Sequence, residues 1–206
     1  MMIDLYTAPT PNGYKISIAL EELGLAYKVH EIDLSKLVQK EDWYLKLNPN
    51  GRIPVIKDND NGTVLFETGA ILLYLAEKTG KLMPALNSGN YWTAIQWLMF
   101  QMSGIGPMQG QVHLFKYAYP VKHEDVIERY FNETRRLYNV LETCLSGSSY
   151  LIKDGLSIVD IAVFPWLARH EKTGLDLNEF GRLKVWFEML SERPAFKAGM
   201  LVPRPS

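Results

Sequence analysis

Strand signals in this chain are confined to about its first 80 residues, and that asymmetry limits the architecture more than any other feature. Met2-Ile3-Asp4-Leu5-Tyr6 alternates apolar and polar residues, as a half-buried strand does. Ile16, Ala19, Leu20 and Leu23 then recur at helical spacing, and Gly24 stands where a helix C-terminus favours glycine. Residues 26–34 carry a second strand, and residues 39–47 a short irregular helix. Asn48-Pro49-Asn50-Gly51 is a turn. Pro54-Val55-Ile56 and Thr63-Val64-Leu65-Phe66 pair as a hairpin about Asn61-Gly62. Glu67-Thr68-Gly69 opens a helix whose buried residues are expected to include Ala70, Ile71, Tyr74 and Leu75.

The order is β-α-β-α-β-β-α. A parallel βαβ unit followed by a hairpin and a closing helix is the thioredoxin-type arrangement. After a linker over residues 80–89 the pattern holds no strand. Residues 90–101 are rich in aromatic and long apolar side chains, and Gly104, Gly106 and Pro107 are expected to kink or interrupt that helix. Residues 123–145 are helical, with Ile127, Tyr130, Thr134, Leu137 and Leu141 at 3–4 spacing. Residues 179–192 read as the last helix, ended near Arg193-Pro194. Ser157-Ile158-Val159-Asp160 is a capping-box variant with Leu156 and Ile161 as its hydrophobic staple, a structural device. The expected fold is an α/β thioredoxin-like N-terminal domain over residues 1–81, followed by an all-α C-terminal domain over residues 88–206.

Charge and cysteine content exclude several classes of function. The 22 basic and 23 acidic residues nearly cancel, so no basic field gathers nucleic acid or an anionic membrane, and neither is an expected partner. No stretch is apolar enough to span a bilayer, and residues 1–10 do not have the pattern of a signal peptide. The one cysteine, Cys144, makes no internal disulfide and fits a reducing compartment, so a cytoplasmic location is expected. Cysteine-ligated zinc is excluded, the four histidines lack HExxH spacing, and no metal is expected.

The chain resembles the cytosolic glutathione transferases along nearly its whole length. The motifs are Thr10-Pro11-Asn12-Gly13 after the first strand, Arg52-Ile53-Pro54-Val55, Glu67-Thr68-Gly69-Ala70-Ile71 and Leu156-Ser157-Ile158-Val159-Asp160. Within that superfamily it is most similar to the bacterial nu class, the glutathione-dependent disulfide-bond reductases. Residues 8–13, residues 70–80, Gly106-Pro107-Met108 and Ile127-Glu128-Arg129-Tyr130 carry that closer likeness.

The resemblance implies a site for glutathione. It gives Ile53 the role of offering backbone N–H and C=O to the ligand's cysteine, as a strand edge does, and implies a cis bond to Pro54. It places Glu67 and Thr68 at the γ-glutamyl end, where a helix N-terminus favours a carboxylate and Glu67 meets the ammonium. Thr68 stands where most relatives carry serine. Gln39 and Arg52 match further ligand contacts, Arg52 toward the glycine carboxylate or simply as a solvated surface charge. Arg129 matches an arginine that reaches the ligand from the helical domain; an i,i+4 pair with Glu133 is its plainer role.

A free thiol near pKa 8.5 is mostly protonated at neutral pH, so the site must favour the thiolate. Thr10 and Asn12 offer a hydroxyl and an amide NH₂ just before a helix, and are the expected catalytic residues, stabilising sulfur anion by hydrogen bonds. Asn12-Gly13 also reads as a helix-entry turn. Tyr6 belongs to the strand, and Tyr14 is a minor candidate. No cysteine starts the first helix, and Cys144 reads as a small buried hydrophobe. Disulfide reduction would therefore use bound glutathione as nucleophile and a second glutathione to resolve the mixed disulfide. By position residues 101–117, with Met108, His113 and Phe115, either line the electrophile pocket or, as Met and aromatic residues more often do, belong to the core. Trp92, Trp97, Met99, Phe100 and Met102 offer a homodimer face. The alternatives are a transferase conjugating glutathione to an electrophile, and a non-catalytic interaction module on the same fold.

Overall fold

The structure is a computed structural model and describes residues 2–203. Two compact units divide the chain: residues 1–81 with 192–206, and residues 82–191.

The first unit is built on four strands, β1 (Ile3–Thr7), β2 (Tyr27–Glu31), β3 (Val55–Asp58) and β4 (Val64–Phe66). Their order is β2-β1-β3-β4. β1 and β2 run parallel, while β1–β3 and β3–β4 are antiparallel. Ile3, Leu5, Val55 and Ile56 are fully buried. The parallel pair is joined through α1 (Pro11–Leu23), as a βαβ crossover requires.

α1 starts earlier than its apolar spacing indicates. Thr10 is its N-cap, with Oγ1 accepting from the Gly13 amide at 3.2 Å, and Pro11 sits at its first position, where the missing N–H costs nothing. Asn12 and Gly13 therefore lie inside the first helical turn, not in a turn ahead of it. Gly24 closes the helix at φ 65°. The irregular segment at residues 39–47 resolves into a 3₁₀ turn, Val38–Lys40, and a single helical turn, α2 (Asp42–Leu45).

α3 (Thr68–Thr79) buries Ile71, Leu72, Leu75 and Ala76. The expected inward set is corrected at two positions: Ala70 is exposed, and Tyr74 is half-buried with its hydroxyl donating to Asp58 Oδ2. With the helix beginning at Thr68, the buried stripe runs through 68, 71, 72, 75 and 76, and residue 70 falls outside it.

The second unit opens with α4 (Gly89–Phe100) and continues through a π-helical turn, residues 101–105, into α5 (Gly106–His113). The glycines and proline at 104–107 thus widen the helical path instead of ending it. After a second π turn over residues 114–118 come α6 (Glu124–Cys144), α7 (Ile158–Leu167), α8 (His170–Thr173) and α9 (Gly181–Ser191). Asp160 is the polar centre of this unit. It completes the capping box with Ser157, and accepts from the Leu151 amide at 3.0 Å and the Trp186 indole at 2.9 Å while fully buried.

The last described helix escaped the sequence reading. α10 (Pro194–Gly199) follows Arg193, with Pro194 in its first turn, and belongs to the first unit, against α1. Six residues are too few to show a helical period, so Arg193-Pro194 reads as a stop. No helix among the described residues is long and apolar enough to cross a membrane.

Candidate active site

Sheet register gathers the candidate residues at one end of the first unit. Tyr6 lies opposite Val55, and Val55 opposite Phe66. The segments leaving the sheet there are the one from β1 into α1, the one entering β3, and the one from β4 into α3. They carry Thr10 and Asn12, Arg52 and Ile53, and Glu67 and Thr68, respectively. Among the described residues a direct bond ties two of these segments: Lys15 Nζ on α1 donates to Thr68 Oγ1 on α3 at 3.2 Å.

Each segment has its own local cause. Gly13 is required where it stands, because a Cβ there would lie 2.2 Å from the Ala8 carbonyl oxygen. Asn12 is half-buried beside it. The Ile53–Pro54 peptide bond is cis. Just before it, the Arg52 carbonyl accepts from Tyr44 Oη at 2.9 Å and from the Asn48 amide at 2.7 Å, so the strand entry is pinned from α2 and the Asn48 turn. The Arg52 side chain itself is exposed. Gln39 lies in the 3₁₀ turn, half-buried, with Oε1 enclosed and without a partner among the described residues. Gly51 packs against that turn: a Cβ there would be 2.9 Å from the Gln39 carbonyl oxygen.

Glu67 holds φ 69° and ψ 116° as the N-cap of α3. A non-glycine residue in that region costs of order 1–3 kcal/mol, a strain that concentrates at functional sites. Glu67 is exposed while Thr68, next to it, is 6 % exposed. The start of α3 therefore presents helix-end N–H groups, a hydroxyl and a carboxylate together.

Lys15 is the residue that the sequence reading missed. It is 2 % exposed, and burial lowers its pKa to about 7 against the opposing pull of Glu67. The signal was there: Lys15 shares a helix face with Ile18 and Ala19, both fully buried.

The tyrosines hold packing positions. Tyr6 stacks on His30 with ring centroids 4.5 Å apart, burial raises its hydroxyl pKa, and Tyr14 is 2 % exposed.

In the second unit, Arg129 is exposed on α6. Glu133 binds Arg136 through two bonds of 2.8 and 2.7 Å, so the plainer pairing expected for Arg129 is taken by another arginine. Arg129 adds only its charge toward Glu133. His113 ends α5 half-buried over Trp166, and burial lowers its pKa. Cys144 is half-buried, its Sγ donates to the Leu151 carbonyl at 3.5 Å, and burial pushes the thiol up to about 11. Such a thiol is protonated at neutral pH and is a poor nucleophile.

Known proteins match this chain in both units. The glutathione S-transferase N-terminal domain family matches residues 1–77, and the glutathione S-transferase C-terminal domain family matches residues 101–194. The disulfide-bond oxidoreductase YfcG of Escherichia coli is 44% identical over 205 residues, covering 97% of this chain and 95% of that protein. The chain belongs to the glutathione S-transferase family. Among solved members of that family, a glutathione transferase homolog from Lodderomyces elongisporus, with two glutathione molecules per subunit, superposes with a TM-score of 0.96 at 44% identity, over 98% of this chain and 99% of that one. A glutathione transferase from Pseudomonas putida, with one glutathione disulfide per subunit, gives 0.90 at 39% identity, over 98% and 92%. The thioredoxin-like sheet with a helical second domain is the architecture of this family, and two disulfide-bond oxidoreductases of Escherichia coli are among the relatives this chain is similar to.

Proposed function

We propose that this glutathione transferase family member is a glutathione-dependent disulfide-bond reductase that draws its reacting sulfur from bound glutathione. The carrying observation is the pairing of a polar α1 start, Thr10 and Asn12, with a lone cysteine that is masked and protonated elsewhere. The 44% identity to a disulfide-bond oxidoreductase supports the reaction, and relatives holding two glutathiones or one glutathione disulfide support the stoichiometry.

The chemistry balances without a protein thiol. A glutathione thiolate attacks a disulfide sulfur, forming a glutathione mixed disulfide and releasing one substrate thiolate. A second glutathione thiolate attacks the glutathione sulfur of that intermediate, giving glutathione disulfide and the second substrate thiolate. The two thiol protons of glutathione end on the two product thiols, and two electrons pass from glutathione to the substrate.

The residues divide the task. Asn12 donates through its amide and Thr10 through its hydroxyl toward the sulfur, in the manner of an oxyanion hole. Thr10 Oγ1 can serve twice, since it accepts from Gly13 with one lone pair and keeps its proton for donation. Ile53 offers its backbone to the cysteinyl part, Thr68 and Glu67 take the γ-glutamyl end, Arg52 takes the glycine carboxylate, and Gln39 adds a further ligand contact. Arg129 is assigned to the ligand on the family resemblance alone. We assign glutathione to residues 1–81 and the second substrate to the helical domain, residues 88–206. Exposed Trp92 and Met99 on α4 support a homodimer, and a lone cysteine with thiol-dependent chemistry supports a cytoplasmic location.

A model disulfide reduced in an assay coupled to glutathione reductase tests the reading. Wild type should turn over only with glutathione present, and Asn12→Ala should lower kcat by on the order of ten-fold to hundred-fold. Unchanged turnover in Asn12→Ala would remove the thiolate account. Conjugation to an electrophile without disulfide turnover would establish the transferase reading that the family name favours.

A further inference from the structure

The chain has three Asn-Gly dipeptides, Asn12-Gly13, Asn50-Gly51 and Asn61-Gly62. Asparagine is thermolabile, and most so before glycine, where no side chain keeps the next backbone nitrogen from its amide carbon. The reaction closes a five-membered ring, so that nitrogen must swing toward the asparagine Cγ. The fold leaves the three glycines unequal room for this movement.

Gly13 is buried in the first turn of α1. Thr10 Oγ1 holds its N–H at 3.2 Å, and a Cβ there would lie 2.2 Å from the Ala8 carbonyl oxygen. A helical residue keeps ψ at about −42°, so ring closure at Asn12 would rotate it and break the turn. Gly51 is also buried. Its N–H donates to the Asn48 carbonyl at 2.9 Å, and a Cβ there would meet Lys40 Nζ at 2.8 Å and the Gln39 carbonyl oxygen at 2.9 Å. Gly62 differs. It is exposed, as Asn61 is, and a Cβ there would have no neighbour within 4 Å among the described residues. Its N–H donates to the Asp58 carbonyl at 2.8 Å, in an exposed turn whose local opening costs little. The Thr63 N–H donates to Asn61 Oδ1 at 3.0 Å, the oxygen that gains charge when Cγ is attacked.

We propose that Asn61 is the site at which this chain deamidates spontaneously, and that the first turn of α1 shields Asn12 from the same reaction. The Gly62 amide nitrogen yields its proton to solvent and bonds to Asn61 Cγ. The Cγ–Nδ2 bond breaks, and Nδ2 takes a proton and leaves as ammonia. Water then opens the succinimide at either carbonyl, giving aspartate or isoaspartate. One water is consumed, one ammonia is released, and no electrons are transferred. The product loses the 3.0 Å bond from Asn61 Nδ2 to Tyr74 Oη and adds a carboxylate to a hairpin where Asp58 and Asp60 already share Lys78. Asn61 joins the ends of β3 and β4 that face away from Ile53 and Glu67, so the change falls outside the candidate site. The chemistry at Asn61 is independent of the glutathione reading.

The test ages the folded full chain in mildly alkaline buffer and follows each asparagine by mass spectrometry of tryptic peptides, with the chain unfolded in guanidinium chloride as reference. In the folded chain Asn61 should deamidate at least about ten-fold faster than Asn12 or Asn50, and in the unfolded chain the three rates should agree within about three-fold. Asn12 or Asn50 reacting as fast as Asn61 in the folded chain would overturn the inference. So would an Asn61 that reacts only after unfolding. An equal preference for Asn61 in the unfolded chain would place the cause in the local sequence, and would overturn it too.

Discussion

Ser17 Oγ donates to the carbonyl oxygen of Gly199 at 2.7 Å, fastening α10 to the middle of the helix whose first turn carries Asn12. The contact is close because residue 199 has no side chain: a Cβ there would lie 2.5 Å from Ile18 Cα and 2.6 Å from Ile18 N. Arg193 adds a two-pronged bond to Glu22 at 2.7 and 3.0 Å. Backbone cannot yield as a flexible side chain does, so Gly199→Ala should separate the helices and cost about 1–3 kcal/mol, more than the roughly 1 kcal/mol expected for Ser17→Ala. Urea unfolding of the two variants measures the order. A Gly199→Ala chain as stable as the wild type would mean that α10 does not approach α1 this closely.

Asp160 gathers four buried donors, the amides of Leu151 and Ser157, the Ser157 hydroxyl and the indole of Trp186, within 3.0 Å. Asp160→Ala strands the three N–H donors among them. Each unsatisfied buried donor costs about 1–3 kcal/mol, so a loss of about 3 kcal/mol or more is expected. Glutathione affinity per folded molecule should stay unchanged, since this is a structural centre. Denaturation for the first quantity and calorimetry for the second check both. A weaker affinity with intact stability would give Asp160 a functional role.

Much of this was legible in the sequence, and the exceptions share a physical cause. The order of strands and helices could be read because strand and helix periods differ and Gly24 and the Asn61-Gly62 connection punctuate them. The capping box at Ser157 and Asp160 could be read because it is local. Ala70 was misplaced by a small error in phase: one residue turns a helix through about 100°. α10 and the partner of Lys15 were not legible because their reasons are distant. Gly199 meets Ile18, and Lys15 meets Thr68, across folds of the chain that no local pattern encodes.

Lys15 also gives a pH dependence whose sign is fixed. Its pKa is about 7 in the folded chain against an ordinary 10.5, so between those values the unfolded chain binds the extra proton. Stability from this group therefore rises with pH from about 7 toward 10.5, and the burial cost is fully present below 7. Compared at each pH, wild type should gain on Lys15→Met across that window. A difference that stays constant from pH 7 to 10 would show that the Lys15 pKa is not lowered.

Thr10 separates capping from chemistry. Thr10→Ala removes the acceptor for the Gly13 amide and should cost about 1 kcal/mol of stability. Thr10→Ser keeps both hydroxyl roles and should keep both stability and disulfide turnover. If Thr10→Ala loses stability and retains full turnover, Thr10 is a cap alone and Asn12 carries the sulfur contact.

The central claim concerns where the reacting sulfur comes from, and the cysteine-free chain tests it most directly. Cys144 is the only cysteine in the sequence, so Cys144→Ser leaves no protein thiol. Glutathione-dependent reduction of a model disulfide by that variant should proceed at a rate within about two-fold of the wild type, given a thiol already masked by burial. Abolished turnover in a folded Cys144→Ser chain would contradict the account and move the nucleophile onto the protein.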